Sequence, residues 1–152
     1  MCAAQLHFHR PSEHTIEGKR LPLEAHFVHK QIDGDLTAVL TVLYEESSSI
    51  GPTIGGNNTA LAAVADSVPI TPGEGQMLNQ TVSPIDLLPP GGAYWRYVGS
   101  TTTPPCSEGV VWFILKSANV ATPDQLSTFT EAAGGVNNNR PRQPLNGRLI
   151  LT

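Results

Sequence analysis

A mainly β domain with a few short helices is what this sequence predicts, and three observations carry that expectation. Residues 5–9, 23–29 and 36–44 are successive runs of alternating, aromatic or β-branched side chains. Residues 94–98 and 109–115 repeat that character later in the chain. Helical periodicity is confined to two stretches, one opening near Asn58 and one at Thr122. The 152 residues suffice for one domain with a sizeable core.

The first strand, Gln5-Leu6-His7-Phe8-His9, sets two imidazoles two residues apart and therefore on one face. The second, Leu23-Glu24-Ala25-His26-Phe27-Val28-His29, brings a third imidazole, His26, beside them if the strands pair. All five histidines of the chain fall between Gln5 and Lys30. Three neutral imidazoles with an open fourth position make a catalytic zinc site. Nitrogen donors suit zinc, although copper, cobalt or nickel could occupy them. Glu24 shares a strand face with His26 and can accept its distal ring N–H, and Gln5 stands in the same relation to His7. Glu13 and His14 fall in the turn after Pro11-Ser12, where a buried carboxylate could orient a hydroxyl or relay a proton. His14 is read as a supporting group behind the ligands. His29, three residues from His26, is read as structural and on the opposite face.

An Asp33-Gly34 turn leads into the third run, a central strand, and a Gly/Pro/Ser-rich connection spans residues 47–57. Asn58 is placed to cap a short helix whose Leu61, Val64, Ala65 and Val68 form one stripe before Pro69. Residues 69–90 read as irregular, with room for a short strand at 77–82. The strand Tyr94-Trp95-Arg96-Tyr97-Val98 runs into Gly99-Ser100-Thr101-Thr102-Thr103-Pro104-Pro105-Cys106, a loop stiffened by two prolines that can present a hydroxyl in one orientation. Residues 109–115 are apolar on both faces, as in a strand buried on both sides. Thr122, Pro123 and Gln125 spell a capping box ahead of the stripe Leu126, Phe129, Thr130 and Ala133, which Gly134-Gly135 ends. A proline-spaced, extended tail occupies residues 137–148.

Charged residues make up 14% of the chain, against roughly a quarter in a typical domain, and the net charge is −4. No basic block interleaved with aromatics appears, so nucleic acid is not an expected partner. No apolar run approaches a membrane span, and Met1-Cys2-Ala3-Ala4 has no signal-peptide pattern. The ligand strand starts almost at the first residue, which leads us to expect a missing upstream part. Cys2 and Cys106 permit one disulfide or none.

Taken together, Gln5-Leu6-His7-Phe8-His9, Pro11-Ser12-Glu13-His14, Glu24-Ala25-His26-Phe27-Val28-His29, Tyr94-Trp95-Arg96-Tyr97, Gly99-Ser100-Thr101-Thr102-Thr103-Pro104-Pro105-Cys106-Ser107-Glu108-Gly109 and Arg140-Pro141-Arg142-Gln143-Pro144-Leu145-Asn146-Gly147-Arg148 resemble the α-class carbonic anhydrases, particularly the bacterial ones. The match keeps its order over nearly the whole chain. It implies a large twisted, mostly antiparallel sheet, with residues 1–152 as the later portion of a single catalytic domain lacking its N-terminal part. It implies Zn2+ on His7, His9 and His26, with Gln5 and Glu24 as partners of the ligand rings. Thr102 with Glu13 matches the family's gate pair, in which the threonine donates to the glutamate and can only accept from zinc-bound hydroxide. Val28, Val39 and Trp112 match the apolar wall for carbon dioxide, with Thr101 and Thr103 at the pocket; Thr101 stands where the family usually has leucine. The implied reaction is the reversible hydration of carbon dioxide to bicarbonate and a proton. A periplasmic or secreted location follows from the same resemblance, and unpaired sheet edges invite a homo-oligomer.

Two other readings stand beside it. One is a truncated chain that binds zinc without turnover or only assembles with itself. The other is a cupin-type barrel, whose first metal motif His7-x-His9-x-x-x-Glu13 fits, although no later histidine supplies the second motif.

Overall fold

The computed structural model describes residues 2–30, 36–47, 59–69, 71 and 76–152. The expected Asp33-Gly34 turn, most of the 47–57 connection and the Asn58 cap lie outside the described residues. Those described form strands β1 (Cys2–His9), β2 (Leu23–Lys30), β3 (Leu36–Glu46), β4 (Tyr94–Ser100), β5 (Glu108–Leu115) and β6 (Asn119–Ala121), and helices α1 (Thr59–Ala65) and α2 (Pro123–Ala132). One sheet joins the strands in the order β1-β2-β3-β5-β4, with β6 against the end of β3. The β1–β2, β2–β3 and β4–β5 pairs are antiparallel, while β5 and β6 run parallel to β3. β5 can run parallel to β3 because β4, which comes between them in the chain and is antiparallel to β5, carries the chain back.

The period of two sorts the sheet into two faces. Leu6 and Phe8 of β1, Leu23, Ala25 and Phe27 of β2, and Val42 and Tyr44 of β3 pack with Leu61, Leu126 and Phe129 of the two helices into one apolar cluster. Their alternates Val28, Val39, Leu43, Trp112 and Ile114 build a second cluster on the opposite face. His7, His9, Glu24 and His26 share this second face. The core therefore sits between sheet and helices, and the polar cluster is held on the other side by strands that the core immobilises.

Helix α2 forms as the capping box predicts. Gln125 N–H donates to the Thr122 hydroxyl at 3.3 Å, and Gln125 Oε1 accepts from Thr122 N–H at 3.0 Å. Gly134 and Gly135 follow with φ of +73° each, a left-handed conformation that suits a helix stop. Helix α1 ends at Ala65 and tightens into turns in which Ser67 N–H donates to the Val64 carbonyl at 3.0 Å and Val68 N–H to that of Ala65 at 3.2 Å, before proline at 69 bars further helix at Val68. The strand expected at 77–82 does not form: residues 76–81 are exposed, lie on no sheet edge, and lead into a 3-10 turn at Pro84–Leu87. Leu87 is buried, and its carbonyl accepts from Tyr44 Oη and from Asn119 Nδ2, both at 3.1 Å.

Candidate metal centre and its surroundings

Strand pairing assembles the histidines. His7 lies opposite His26, and His9 lies opposite Glu24. The three rings stand with centroids 4.7–5.1 Å apart, and one nitrogen from each lies within 4.8 Å of the other two. Their partners identify those nitrogens. His26 Nε2 donates to Glu24 Oε1 at 2.5 Å, which leaves Nδ1 bare and 3.2 Å from His7 Nε2. His9 Nδ1 faces the carbonyl of Asn138 at 3.2 Å; a carbonyl only accepts, so this nitrogen carries the proton and Nε2 is the bare one. That Nε2 is buried and has no hydrogen-bond partner.

Glu24 is fully buried and serves both sides of the site. Besides His26 it accepts from His14 Nδ1 at 2.6 Å and from the His14 backbone N–H at 2.9 Å. His14 Nε2 lies 2.8 Å from Tyr97 Oη, so a chain of ring, carboxylate, ring and phenol runs from His26 outward. Burial by itself would lower the His14 pKa, but the Glu24 charge and hydrogen bond outweigh it and hold it above the ordinary value. Burial would likewise raise Glu24, and the facing His14 charge holds it well below the usual carboxylate range. Burial pushes the Tyr97 phenol up.

Burial, followed by the neighbouring His26 and His9, pushes His7 down to about 4 from its ordinary 6.5, and burial moves His9 in the same direction. Both rings are therefore neutral, as ligands must be, near pH 7. For the metal-free protein the sign is definite. Below pH 6.5 the unfolded chain takes up protons that folded His7 and His9 refuse, so stability falls towards pH 4. His14, raised in the fold, works in the opposite direction above pH 6.5, so the loss is read below that value. The urea midpoint of metal-free protein should decline from pH 6.5 to pH 5, and less so in His7→Gln; a flat profile would refute the assignment.

Gln5 lies on the ligand strand just past a bulge, but it is exposed and makes no bond to His7, whose Nδ1 is buried without a partner. Glu13 is buried; its Oε1 accepts from Arg140 N–H at 2.7 Å and lies 3.5 Å from His9 Nδ1, and its Oε2 has no partner. Thr102 and Glu13 line one cavity of about 530 Å3, which is also lined by His14, Tyr97 and Arg140. The hydrogen bond between Thr102 and Glu13 is not among those made by the described residues. Thr101 and Thr103 do not line this cavity: the Thr101 hydroxyl donates to the Thr103 carbonyl at 3.1 Å, and Thr103 is exposed. Val28, Val39 and Trp112 face one another across β2, β3 and β5 in register, on the histidine side of the sheet. His29 has its Nδ1 2.9 Å from the Phe27 carbonyl, away from the cluster.

Two contributors escaped the sequence reading. Tyr97 closes the His14 chain, and Asn138 clamps the end of β1. Asn138 N–H donates to the Arg10 carbonyl (3.1 Å), its Oδ1 accepts from Arg10 N–H (2.7 Å), and its Nδ2 donates to the Phe8 carbonyl (3.1 Å). Nothing in the local sequence marks either, because each partner lies more than eighty residues away.

A sequence model of the eukaryotic-type carbonic anhydrase family matches residues 2–152. The chain is 42% identical over 147 residues to a carbonic anhydrase of Pectobacterium carotovorum, covering 97% of this chain and 56% of that protein. It is 43% identical to one of Neisseria gonorrhoeae, covering 97% and 54%. Among solved structures it superposes with a TM-score of 0.89 on the α-carbonic anhydrase of Thermovibrio ammonificans in complex with the inhibitor sulfanilamide, at 41% identity over 99% of this chain and 62% of that one. The chain thus spans little more than half the length of the curated relatives it matches.

Proposed function

The chain belongs to the eukaryotic-type, or α-class, carbonic anhydrase family, and from that premise we propose that its site hydrates carbon dioxide reversibly to bicarbonate and a proton, with Zn2+ on His7, His9 and His26. One observation carries the reading: a ring nitrogen from each of His7, His9 and His26 lies within 4.8 Å of the other two. Bonds of 2.0–2.1 Å at tetrahedral angles need nitrogens roughly 3.3 Å apart. The His7 Nε2 to His26 Nδ1 distance is 3.2 Å, and the orphaned His9 Nε2 completes the set. Such neutral nitrogen donors fit zinc. Bound there, Zn2+ would lower the pKa of a coordinated water from 15.7 to about 7, which supplies a nucleophile at neutral pH.

The protein's own groups do the rest. Glu24 and the Asn138 carbonyl fix the tautomers and ring angles of His26 and His9. The open lone pairs of Glu13 Oε2 are the natural acceptor for the Thr102 hydroxyl, which would leave the threonine oxygen able only to accept and so to orient the nucleophile. Val28, Val39 and Trp112 offer apolar surface to an uncharged, linear substrate while excluding water. A periplasmic or extracellular location, and self-association through exposed sheet edges, belong to the same proposal; cell fractionation and sedimentation test them.

Stopped-flow hydration assays with and without zinc and sulfanilamide decide the main point. Zinc-dependent, sulfanilamide-sensitive turnover is expected, and a folded, zinc-loaded but inactive protein would sink the reading in favour of a binding role. Thr102→Ala should lower hydration about 10- to 100-fold with zinc retained. Unchanged activity in that variant would remove Thr102 from its role.

A further inference from the structure

We propose that Arg20 is a positioning residue that acts through Glu13, fastening the turn that bears the carboxylate to the tail segment that holds it. The proposal rests on the role given to Glu13 above. Arg20 is half-buried, and its guanidinium reaches two segments far apart in the chain. Nη1 donates to the Ser12 carbonyl and, at 3.3 Å, to the Glu13 carbonyl. Nη2 donates to the Arg140 carbonyl at 3.5 Å. The Asn139 carboxamide, with its oxygen turned inward, accepts from the same two nitrogens at 2.7 and 3.3 Å.

What this fork joins is specific. Glu13 is held at its backbone by Arg20, and its Oε1 is held by the N–H of Arg140, whose carbonyl Arg20 also binds. One guanidinium thus fixes both the carboxylate's own chain and its hydrogen-bond donor. The turn does not need Arg20 to form, because Ser12 N–H donates to the Leu21 carbonyl and Leu21 N–H to the Ser12 hydroxyl, both at 2.9 Å. The tail is separately clamped at Asn138. Arg20 therefore adds the link from turn to tail, and that link sets where the Glu13 carboxylate sits relative to the cavity that Glu13 and Thr102 both line. Lysine has a point charge rather than a planar fork and can replace only part of it.

The test uses the zinc-loaded chain with Arg20→Gln, Arg20→Lys and Glu13→Gln. Arg20→Gln should lower kcat/KM about tenfold, Arg20→Lys less, with zinc content unchanged. In the Glu13→Gln background, Arg20→Gln should cost nothing further, since both act on one group. Amide exchange gives a readout independent of turnover. The Arg140 N–H should exchange about tenfold faster in Arg20→Gln, while the Asn138 N–H stays as protected as in the unaltered chain. Losses that multiply across the two substitutions would overturn the proposal. So would an unchanged Arg140 amide, or equal acceleration at Arg140 and Asn138, which would mean general loosening. If the unaltered chain fails to hydrate carbon dioxide, the functional reading falls and the Arg140 amide still decides the role of Arg20.

Discussion

Alanine at His7, His9 or His26 is expected to abolish stoichiometric zinc, measured by mass spectrometry of the dialysed protein, whereas alanine at His14 or His29 leaves it bound. Each of the three contributes one of the converging nitrogens, so each loss removes a direct donor and should exceed the roughly 10- to 100-fold cost of removing a partner behind a ligand. His29 has its ring against the Phe27 carbonyl and can offer the centre nothing. His14 is the informative control. A second set of donors, His14, Glu24 and His26, also lies within 4.8 Å and shares His26 with the first. Zinc there would be lost in His14→Ala and kept in His7→Ala and His9→Ala. Competition with a chelator of known affinity separates the two patterns, and the second one would overturn the assigned centre.

The histidine set was legible because strand periodicity is local: spacings of two along β1 and β2, with antiparallel pairing, put His7, His9, Glu24 and His26 on one face before any tertiary contact is known. The capping box of α2 was legible for the same reason, since Thr122 and Gln125 satisfy each other within one turn. What sequence could not show depends on chain segments meeting at long range. Asn138 and Arg140 reach His9 and Glu13 across the full length of the chain, and Tyr97 reaches His14 from the opposite edge of the sheet. The three-residue strand β6 is too short to carry a period, and it forms only because β3 extends past β5 and offers an edge. Residues 77–82 carry Asn79 and Gln80 among their apolar side chains, which weakens a strand pattern, and they stay outside the sheet. Gln5 shows the reverse error: its spacing to His7 is right, yet the bulge next to it leaves the side chain in solvent.

Glu24→Ala should be the most destabilising single change at the site. The carboxylate is fully buried and accepts three hydrogen bonds, from His26 Nε2, His14 Nδ1 and the His14 backbone N–H. Truncation leaves a buried, positively biased His14 ring and a backbone donor without partners. Breaking such a pair from one side costs about 3–5 kcal/mol. It also frees the His26 ring to rotate or switch tautomer, so zinc affinity should fall about 10- to 100-fold. The pH dependence identifies the cause. Glu24 titrates below its ordinary 4.5 in the fold, so its contribution is present above that value and lost as pH falls through the folded pKa. His14 titrates above its ordinary 6.5, so its contribution is complete below that value and lost as pH rises through the folded pKa. The stability gap between the metal-free protein and Glu24→Ala should therefore be widest between pH 4.5 and 6.5 and narrow on either side. Urea unfolding across that range measures it. A gap that does not vary with pH would mean that the loss comes from a packing void and not from the carboxylate–imidazole pair.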